Sequence, residues 1–395
     1  MRGHIRKRSK DTWTIVIDAG RDPSTGKRSQ QWVSVKGTKK DAERKLAELV
    51  HQVDTGGFVR PAKVTVAEFL DRWLHDYAWP NLAPRTAEGY EQIIRGHLIP
   101  GLGYIPLTQL RPEHLQQYYA DKLASGRRDG KGSLSPRTVR HHHVTLHGAL
   151  QSAVKWGLLA RNPADAVDAP RYQAHEIRTF NEKDIRVFLT AARPTPYYSL
   201  FYLALFTGMR RSELLALCWD DIDLDLAQVS VVRTIHQLRD RTIVFRAPKT
   251  AKGRRTVALP PSAALMLREH REKQEAIRAS LGKALQGSDL VFSQPDGRPL
   301  LPDTATHAWI KLTRRTGLAG VRLHDARHSH ASLMLKAGIH PKVVQERLGH
   351  ASIQITLDTY SHITPGLQAA AAERFDQELA PYPAEDVETV TAKAG

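Results

Sequence analysis

Between residues 64 and 160 the apolar side chains recur at helical spacing with hardly a break. They run through "VAEFLDRWLHDY", "PRTAEGYEQIIRGHLIP", "RPEHLQQYYADKLAS" and "SPRTVRHHHVTLHGALQSAVKWGLL". Three of these segments open on proline. A helix tolerates proline in its first turn, where the missing N–H has no intrahelical partner anyway. A separate all-helical domain over 64–165 follows. His141, His142 and His143 sit on its last helix. Consecutive helical residues point in different directions, so this run cannot close on one ion. It reads as a solvated or ligand-facing surface.

On either side the pattern changes. Upstream, "DTWTIVID" alternates as a strand does, with Trp13, Ile15 and Ile17 on one face. "GRDPSTGKRS" is a turn, "QQWVSVKG" a second strand, and "TKKDAERKLAELVHQVDTG" a Thr-capped helix ending at Gly56. Residues 1–60 therefore form a small α+β domain, closed by a Gly-Gly-Pro linker. Downstream, "NPADAVDAPRYQAHEIRTF" is rich in Pro and Ala without periodicity and reads as a linker. A third domain spans 175–380, mainly helical with a short sheet from "DIDLDLAQVSVVRTI", "TIVFRAPKT" and "RRTVALP". Residues 381–395 lack large apolar side chains and read as a disordered tail. The fold class is multidomain, mainly α with small β-sheets.

Charge narrows the function. The chain has 58 Lys and Arg against 41 Asp and Glu, a net +17. Residues 1–60 hold 14 basic and 7 acidic side chains, a disproportionate share. A surface this cationic attracts polyanions, nucleic acid first among them. Arg6, Lys7, Arg8, Lys10, Lys27 and Arg28 are the candidate DNA contacts. One cysteine, Cys218, excludes an internal disulfide framework and a cysteine-based zinc finger, and fits a reducing cytoplasm. No apolar run approaches the roughly twenty residues of a membrane helix. The basic N-terminus has no apolar segment after it and reads as an arm, not a secretion signal.

The densest chemistry lies in "RLHDARHSHASLML", residues 322–335. His324 and Arg327 are three apart and share a helical face, with His328 and His330 directed elsewhere. A guanidinium beside the only available histidine disfavours zinc, and the HExxH spacing is absent. A His and an Arg on the first turn of a helix suit an oxyanion instead. Two further segments carry similar residues at element edges. "LFTGMRRSELLALCWDDIDLD" reads as a helix opened by a Thr-Gly turn, with Arg210 in its first turn and Glu213 placed to hold a guanidinium. "ERLGHASIQITLDTYSHI" offers His350 after a Gly turn, then Tyr360.

In this set the chain resembles the tyrosine recombinases, or phage-type integrases, and in layout those of actinobacterial phages and integrative plasmids. Thr207-Gly208-Met209-Arg210 with Glu213 meets the family's T-G-x-R-x-x-E pattern. His324 and Arg327 meet H-x-x-R, and Leu348-Gly349-His350 meets L-G-H. Tyr360 stands where the nucleophile lies, about ten residues further on. The family's lysine sits in a β-turn before a strand, as in "PKTAKGRRTVALP". It is assigned to Lys249, with Lys252 the second candidate because such turns vary in length. Each box alone is a weak signal; all of them in order are specific.

The resemblance implies an arm-type DNA-binding domain, a SAM-like core-binding domain and a catalytic domain, in that order. It implies that Tyr360 attacks phosphorus, that the 5′-hydroxyl leaves, and that a 3′-phosphotyrosyl link conserves the bond. Arg210 and Arg327 would grip the non-bridging oxygens in fork geometry. His324 would help take the tyrosine proton, Lys249 would protonate the leaving oxygen, and His350 would hydrogen-bond the phosphate. No metal or cofactor is implied. The implied partners are double-stranded DNA with core-type and arm-type sites, three further copies in a tetramer, and accessory proteins of the integration-host-factor and excisionase kinds. The segment "TPGLQAAAAERFDQEL" has Leu367, Ala370, Ala371, Phe375 and Leu379 at helical spacing; it packs on its own domain or, as the resemblance favours, docks on a neighbouring subunit. Three rival readings are a type IB topoisomerase, a catalytically silent DNA-binding protein and a metal-dependent nuclease. The basic domain at 1–60 disfavours the first. The full set of reactive residues disfavours the second.

Overall fold

The computed structural model describes residues 3–21, 28–54, 64–173, 178–248 and 251–360, with a few isolated positions after 371. The chain divides into two compact units, Met1–Ala174 and His175–Gly395.

The first unit holds two separate cores. Strands β1 (Gly3–Ser9), β2 (Thr12–Arg21) and β3 (Arg28–Lys36) form an antiparallel sheet in that order. Ile15 pairs with Ile5 on one side and Val33 on the other. Ile15 and Ile17, both fully buried, pack against Leu49 of helix α1 (Lys39–Asp54). Thr38 caps that helix. Its N–H and hydroxyl both donate to Asp41 Oδ2, at 3.0 and 2.7 Å, and its hydroxyl accepts from the Asp41 N–H. The loop at 22–27, including Lys27, and the Gly-Gly-Pro linker lie outside the described residues.

The helical part begins at α2 (Val66–Trp73), where Thr65 and Glu68 form a reciprocal capping box. Prolines open α3 (Pro84–Ile93), α4 (Pro112–Ser125) and α5 (Pro136–Lys155), as the sequence predicts. Two other prolines, Pro80 and Pro100, fall inside helical runs. Each follows a π-helical turn, at Leu74–Ala78 and Ile94–Leu98. The widened turn carries the helix past a residue that cannot donate and would clash with the carbonyl four residues back. Phe69, Leu70 and Trp73 pack with Leu146 and Leu150, and the Trp73 indole N–H donates to Ser152 Oγ at 2.9 Å.

The expected histidine surface on α5 needs correction. His142 is fully buried, its Nδ1 3.0 Å from the Tyr118 hydroxyl and its ring 4.7 Å from that of His97. His143 pairs in the same way with the Tyr119 hydroxyl. Helical periodicity settles the point: position 142 is in phase with Val139, Leu146 and Ala149, so it turns inward.

The second unit begins with α6 (Glu182–Ala192) and α7 (Tyr198–Thr207). A one-turn helix α8 (Arg211–Leu214) follows. Five short strands follow: β4 (Ile222–Asp223), β5 (Gln228–Val231), β6 (Thr234–Gln237), β7 (Ile243–Arg246) and β8 (Arg255–Ala258). They form two sheets rather than the one expected, β4-β5-β8 and β6-β7. Long helices α9 (Pro261–Ser280) and α10 (Pro302–Arg315) precede α11 (Asp325–Lys336), α12 (Pro341–Leu348) and α13 (Ile353–Tyr360). The core centres on Phe180, Phe188, Phe201 and Trp309, with Trp309 4.3 Å from Phe188 and edge-on to Phe201. No described helix is long and apolar enough to cross a membrane.

Candidate active site

The three sequence motifs of the second unit meet at one place, and backbone carbonyls bring them there. α7 ends at Gly208, which adopts the left-handed conformation (φ 65°). A Cβ here would come within 2.7 Å of Leu348 and 2.8 Å of His330, so only glycine fits. The reversal ends α7 and starts α8 with Arg210 as its N-cap. The helix after the Thr-Gly turn is therefore a single turn, shorter than expected, and a 3-10 turn at Trp219–Asp221 leads into β4.

Arg210 lies at the surface edge and Arg327 beneath it, buried. Arg210 Nη1 donates to Glu213 Oε1 at 2.6 Å, and Nη2 reaches the Gly349 carbonyl at 3.4 Å. Arg327 projects from the first turn of α11. Its Nη1 donates to the Gly208 carbonyl at 2.9 Å and its Nη2 to the Leu348 carbonyl at 2.7 Å. The Thr-Gly turn, the His-x-x-Arg helix and the Leu-Gly-His turn are thus tied by two guanidiniums. Gly349, left-handed at φ 67°, is as constrained as Gly208: a Cβ would meet the Lys252 carbonyl at 2.9 Å.

His350 follows directly. Its Nδ1 lies 2.9 Å from the hydroxyl of Thr356, a fully buried residue of α13. Its carbonyl accepts from the Gln345 side chain at 2.7 Å. Burial, then the charges of Arg327 and Arg210, push its pKa down to about 4. His324 caps α11 at the surface. The protein around it, then His328 and Arg327, lowers its pKa as well. Both imidazoles are neutral near pH 7.

His328 does not point away from His324: the two rings meet edge-on at 5.3 Å. Four residues apart on one helix, they share a face, a contact the three-residue comparison with Arg327 overlooked. His330 is directed elsewhere as expected, with its Nδ1 2.9 Å from the Leu205 carbonyl and its Nε2 3.0 Å from Arg347 Nε.

Beneath these residues lies a cationic layer that the motif reading missed. Glu213, 2% exposed, holds two arginines. Besides Arg210 it accepts from Arg255 at 2.8 Å on one oxygen and 3.2 Å on the other. Burial alone would raise its pKa. The hydrogen bond and charge of Arg255, then Arg210, outweigh that and hold it below the ordinary value. Arg347 donates to the carbonyls of Ala258 and Phe206. The sequence signal for Arg255 was its place at the head of a strand in "GRRTVALP", which alone marks only a basic turn.

Lys249 lies outside the described residues. Lys252 is exposed, and its Nζ donates to the Ala351 carbonyl at 2.7 Å, one residue past His350. The turn before β8 thus reaches the Leu-Gly-His turn. Tyr360 is the last residue of α13, and its side chain lies outside the described part. In the first unit Arg6, Lys7, Arg8 and Lys10 are exposed along β1 and its turn, with Lys7 over the Trp13 ring at 5.9 Å. Arg28 opens β3, its side chain outside the described part. Phe375 and Leu379, in the segment expected to dock on a neighbour, are exposed; most of that segment lies outside the described residues. Among the described residues no three His, Cys, Asp or Glu side chains gather as a metal site requires.

Known proteins share this organisation. Residues 173–366 match the sequence model of the phage integrase family, and residues 65–123 that of the phage integrase N-terminal SAM-like domain. Together these span well over half of the chain, which belongs to the phage integrase family of tyrosine recombinases. It is 28% identical to a XerC-like tyrosine recombinase of Caldanaerobacter subterraneus, over 94% of this chain and 97% of that protein. It is likewise 28% identical to an integrase of Streptomyces ambofaciens, over 92% of each. Among solved structures, the Tn1549 transposon integrase in complex with a circular intermediate DNA superposes with a TM-score of 0.66. It has 20% identity and covers 79% of this chain and 99% of that one. A lambda integrase dimer bound to a core site gives 0.56, with 18% identity over 90% of this chain and 93% of that one. These two likenesses show the fold.

Proposed function

We propose that this chain is a site-specific DNA recombinase that integrates a mobile element, and with partners excises it. The observation that carries the reading is the convergence of Arg210 and Arg327 on the Gly208 and Leu348–Gly349 carbonyls, with His350 and His324 beside them. Membership of the tyrosine recombinase family supports it.

Tyr360 Oη attacks the scissile phosphorus, the 5′-oxygen leaves with its electron pair, and a 3′-phosphotyrosyl ester forms. The reverse attack by a 5′-hydroxyl of the exchanged strand restores a phosphodiester and frees the tyrosine. Charge on the phosphorane-like transition state is the main obstacle, and fixed cations aimed at it are the remedy. Arg210 and Arg327 supply two, already oriented, Arg327 by two backbone carbonyls and Arg210 chiefly by the Glu213 carboxylate. A tyrosine hydroxyl has a pKa near 10, so a neutral base beside it is needed. The lowered pKa of His324 keeps it in that form. Lys249 protonates the leaving oxygen, with Lys252 the alternative, and neutral His350 bonds the phosphate. The basic β1–β3 domain binds arm-type DNA through Arg6, Lys7, Arg8 and Lys10, joined by Lys27 and Arg28. The helical domain over 64–165 binds the core site. Four copies assemble on two duplexes, the work is done in the cytoplasm, and accessory proteins set its direction.

The test uses core-site DNA selected by binding from a pool of random duplexes. Two duplexes bearing the site, incubated with the protein in excess chelator, are expected to exchange strands and yield recombinants. Relaxation of supercoils without recombinants favours the topoisomerase reading. Activity that vanishes in chelator favours a metal-dependent nuclease.

A further inference from the structure

We infer that Arg255 is a positioning residue for DNA cleavage, acting on Arg210 through the shared carboxylate of Glu213; this rests on the recombinase reading above. Arg255 is bonded through all three of its guanidinium nitrogens. Its two terminal nitrogens take both oxygens of Glu213, at 3.2 and 2.8 Å. Its Nε donates to the Arg347 carbonyl at 2.7 Å, and Nη1 also reaches the Gly253 carbonyl at 3.2 Å. The Arg255 side chain is 6% exposed and that of Glu213 1%, against 36% for the Arg210 side chain. The pair is therefore the fixed end of the Arg255–Glu213–Arg210 chain, and Arg210 the end facing solvent.

Geometry explains why the second arginine matters. Glu213 alone could swing about its side-chain torsions and carry Arg210 with it. Fork-to-fork pairing with Arg255 removes that freedom, because a bidentate guanidinium fixes the carboxylate plane as well as its distance. Glu213 Oε1 is then presented to Arg210 Nη1 in one orientation. Arg255 is itself held by the turn before β8 and by the end of α12. It packs beneath Gly349, where a Cβ would come within 3.0 Å of Arg255 Cδ. The Leu-Gly-His turn, the lysine-bearing turn and the first arginine are in this way set on one buried support. The two arginines on Glu213 also leave a net positive charge at the site, one more cation than a single Arg–Glu pair, which favours an anion at the open end.

The test separates positioning of the phosphate clamp from simple support of the fold. Arg255→Gln removes the charge and the fork. Single-turnover formation of the covalent adduct is measured at saturating core-site DNA on two nicked substrates. One has a natural scissile phosphate. The other has a methylphosphonate there, which carries no ground-state charge and leans less on Arg210. R255Q is expected to slow adduct formation about thirtyfold on the phosphate, with core-site Kd within about twofold of the parent. On the methylphosphonate the deficit is expected to shrink to about threefold. A residue that only supports the fold would slow both substrates equally. Arg255→Lys keeps the ion pair and loses the fork, and carries the same comparison if the Gln variant does not fold; its deficit is smaller and narrows in the same way. Equal deficits on the two substrates, or none on the phosphate, would overturn the assignment. A parent protein that forms no adduct on either substrate would instead overturn the recombinase reading, and the role of Arg255 with it.

Discussion

Arg210 and Arg327 look alike in a motif but are held differently, and the difference predicts how each tolerates change. Arg327 is buried, with both terminal nitrogens on backbone carbonyls. Removing it leaves those carbonyls without a partner in the interior, at a cost to folding as well as to activity. Arg210 reaches the surface and leans on one carboxylate. Arg210→Lys should therefore leave the melting temperature nearly unchanged, while losing the fork slows cleavage about a thousandfold. Single-turnover cleavage within tenfold of the parent would contradict this. Arg210 and His350 were legible in the sequence because each stands within two residues of a glycine held left-handed, Gly208 and Gly349, and His324 and Arg327 because they share one helix start. Arg255 was not legible. Its partner Glu213 is 42 positions away, and nothing local distinguishes a buried arginine at a strand's head from an exposed one.

At the scale of elements, proline and glycine punctuation announced the helices of the first unit, and strand alternation announced two strands of its sheet; the third, β1, lies where the basic N-terminus reads as an arm, because its run of charged residues hides the alternation. Periodicity was also enough to bury His142, had phase been weighed above residue type. The histidine lies among the Tyr118 hydroxyl, the His97 ring, Lys122 and His141. Burial, then His97 and Lys122, push its pKa down to about 4. The sign follows from which state binds the proton. Below the ordinary histidine value the unfolded chain protonates position 142 and the folded one does not. Stability is therefore full above about pH 6.5 and is lost as pH falls toward 4. At pH 5 this residue alone accounts for about 2 kcal/mol. His142→Gln should cost stability at pH 7 yet lose less between pH 7 and 5 than the parent does, by roughly that amount. Urea titrations at the two pH values measure it, and an unchanged pH dependence would contradict the account. The two sheets of the second unit were beyond the sequence, since strands of two to four residues carry too few alternations to reveal their partners.

Over the whole molecule, charge is concentrated near the start of the chain and chemistry in its second unit. The Met1–Ala174 unit opens on the β1 stretch, where Arg6, Lys7 and Arg8 are all exposed. Each phosphate contact adds about 0.9 to the slope of log affinity against log salt. Deleting residues 1–60 should lower that slope by about two or more, abolish binding to arm-type DNA, and leave weak core-site cleavage. An unchanged slope would contradict a DNA-binding role for this domain. The central claim is that a single tyrosine oxygen carries the broken DNA strand. Tyr360→Phe removes only that oxygen. Incubated with nicked core-site DNA and resolved in SDS, the parent should give a covalent protein–DNA adduct, and the Phe variant should bind the same DNA with equal affinity and give none. An adduct formed by the Phe variant would contradict the account.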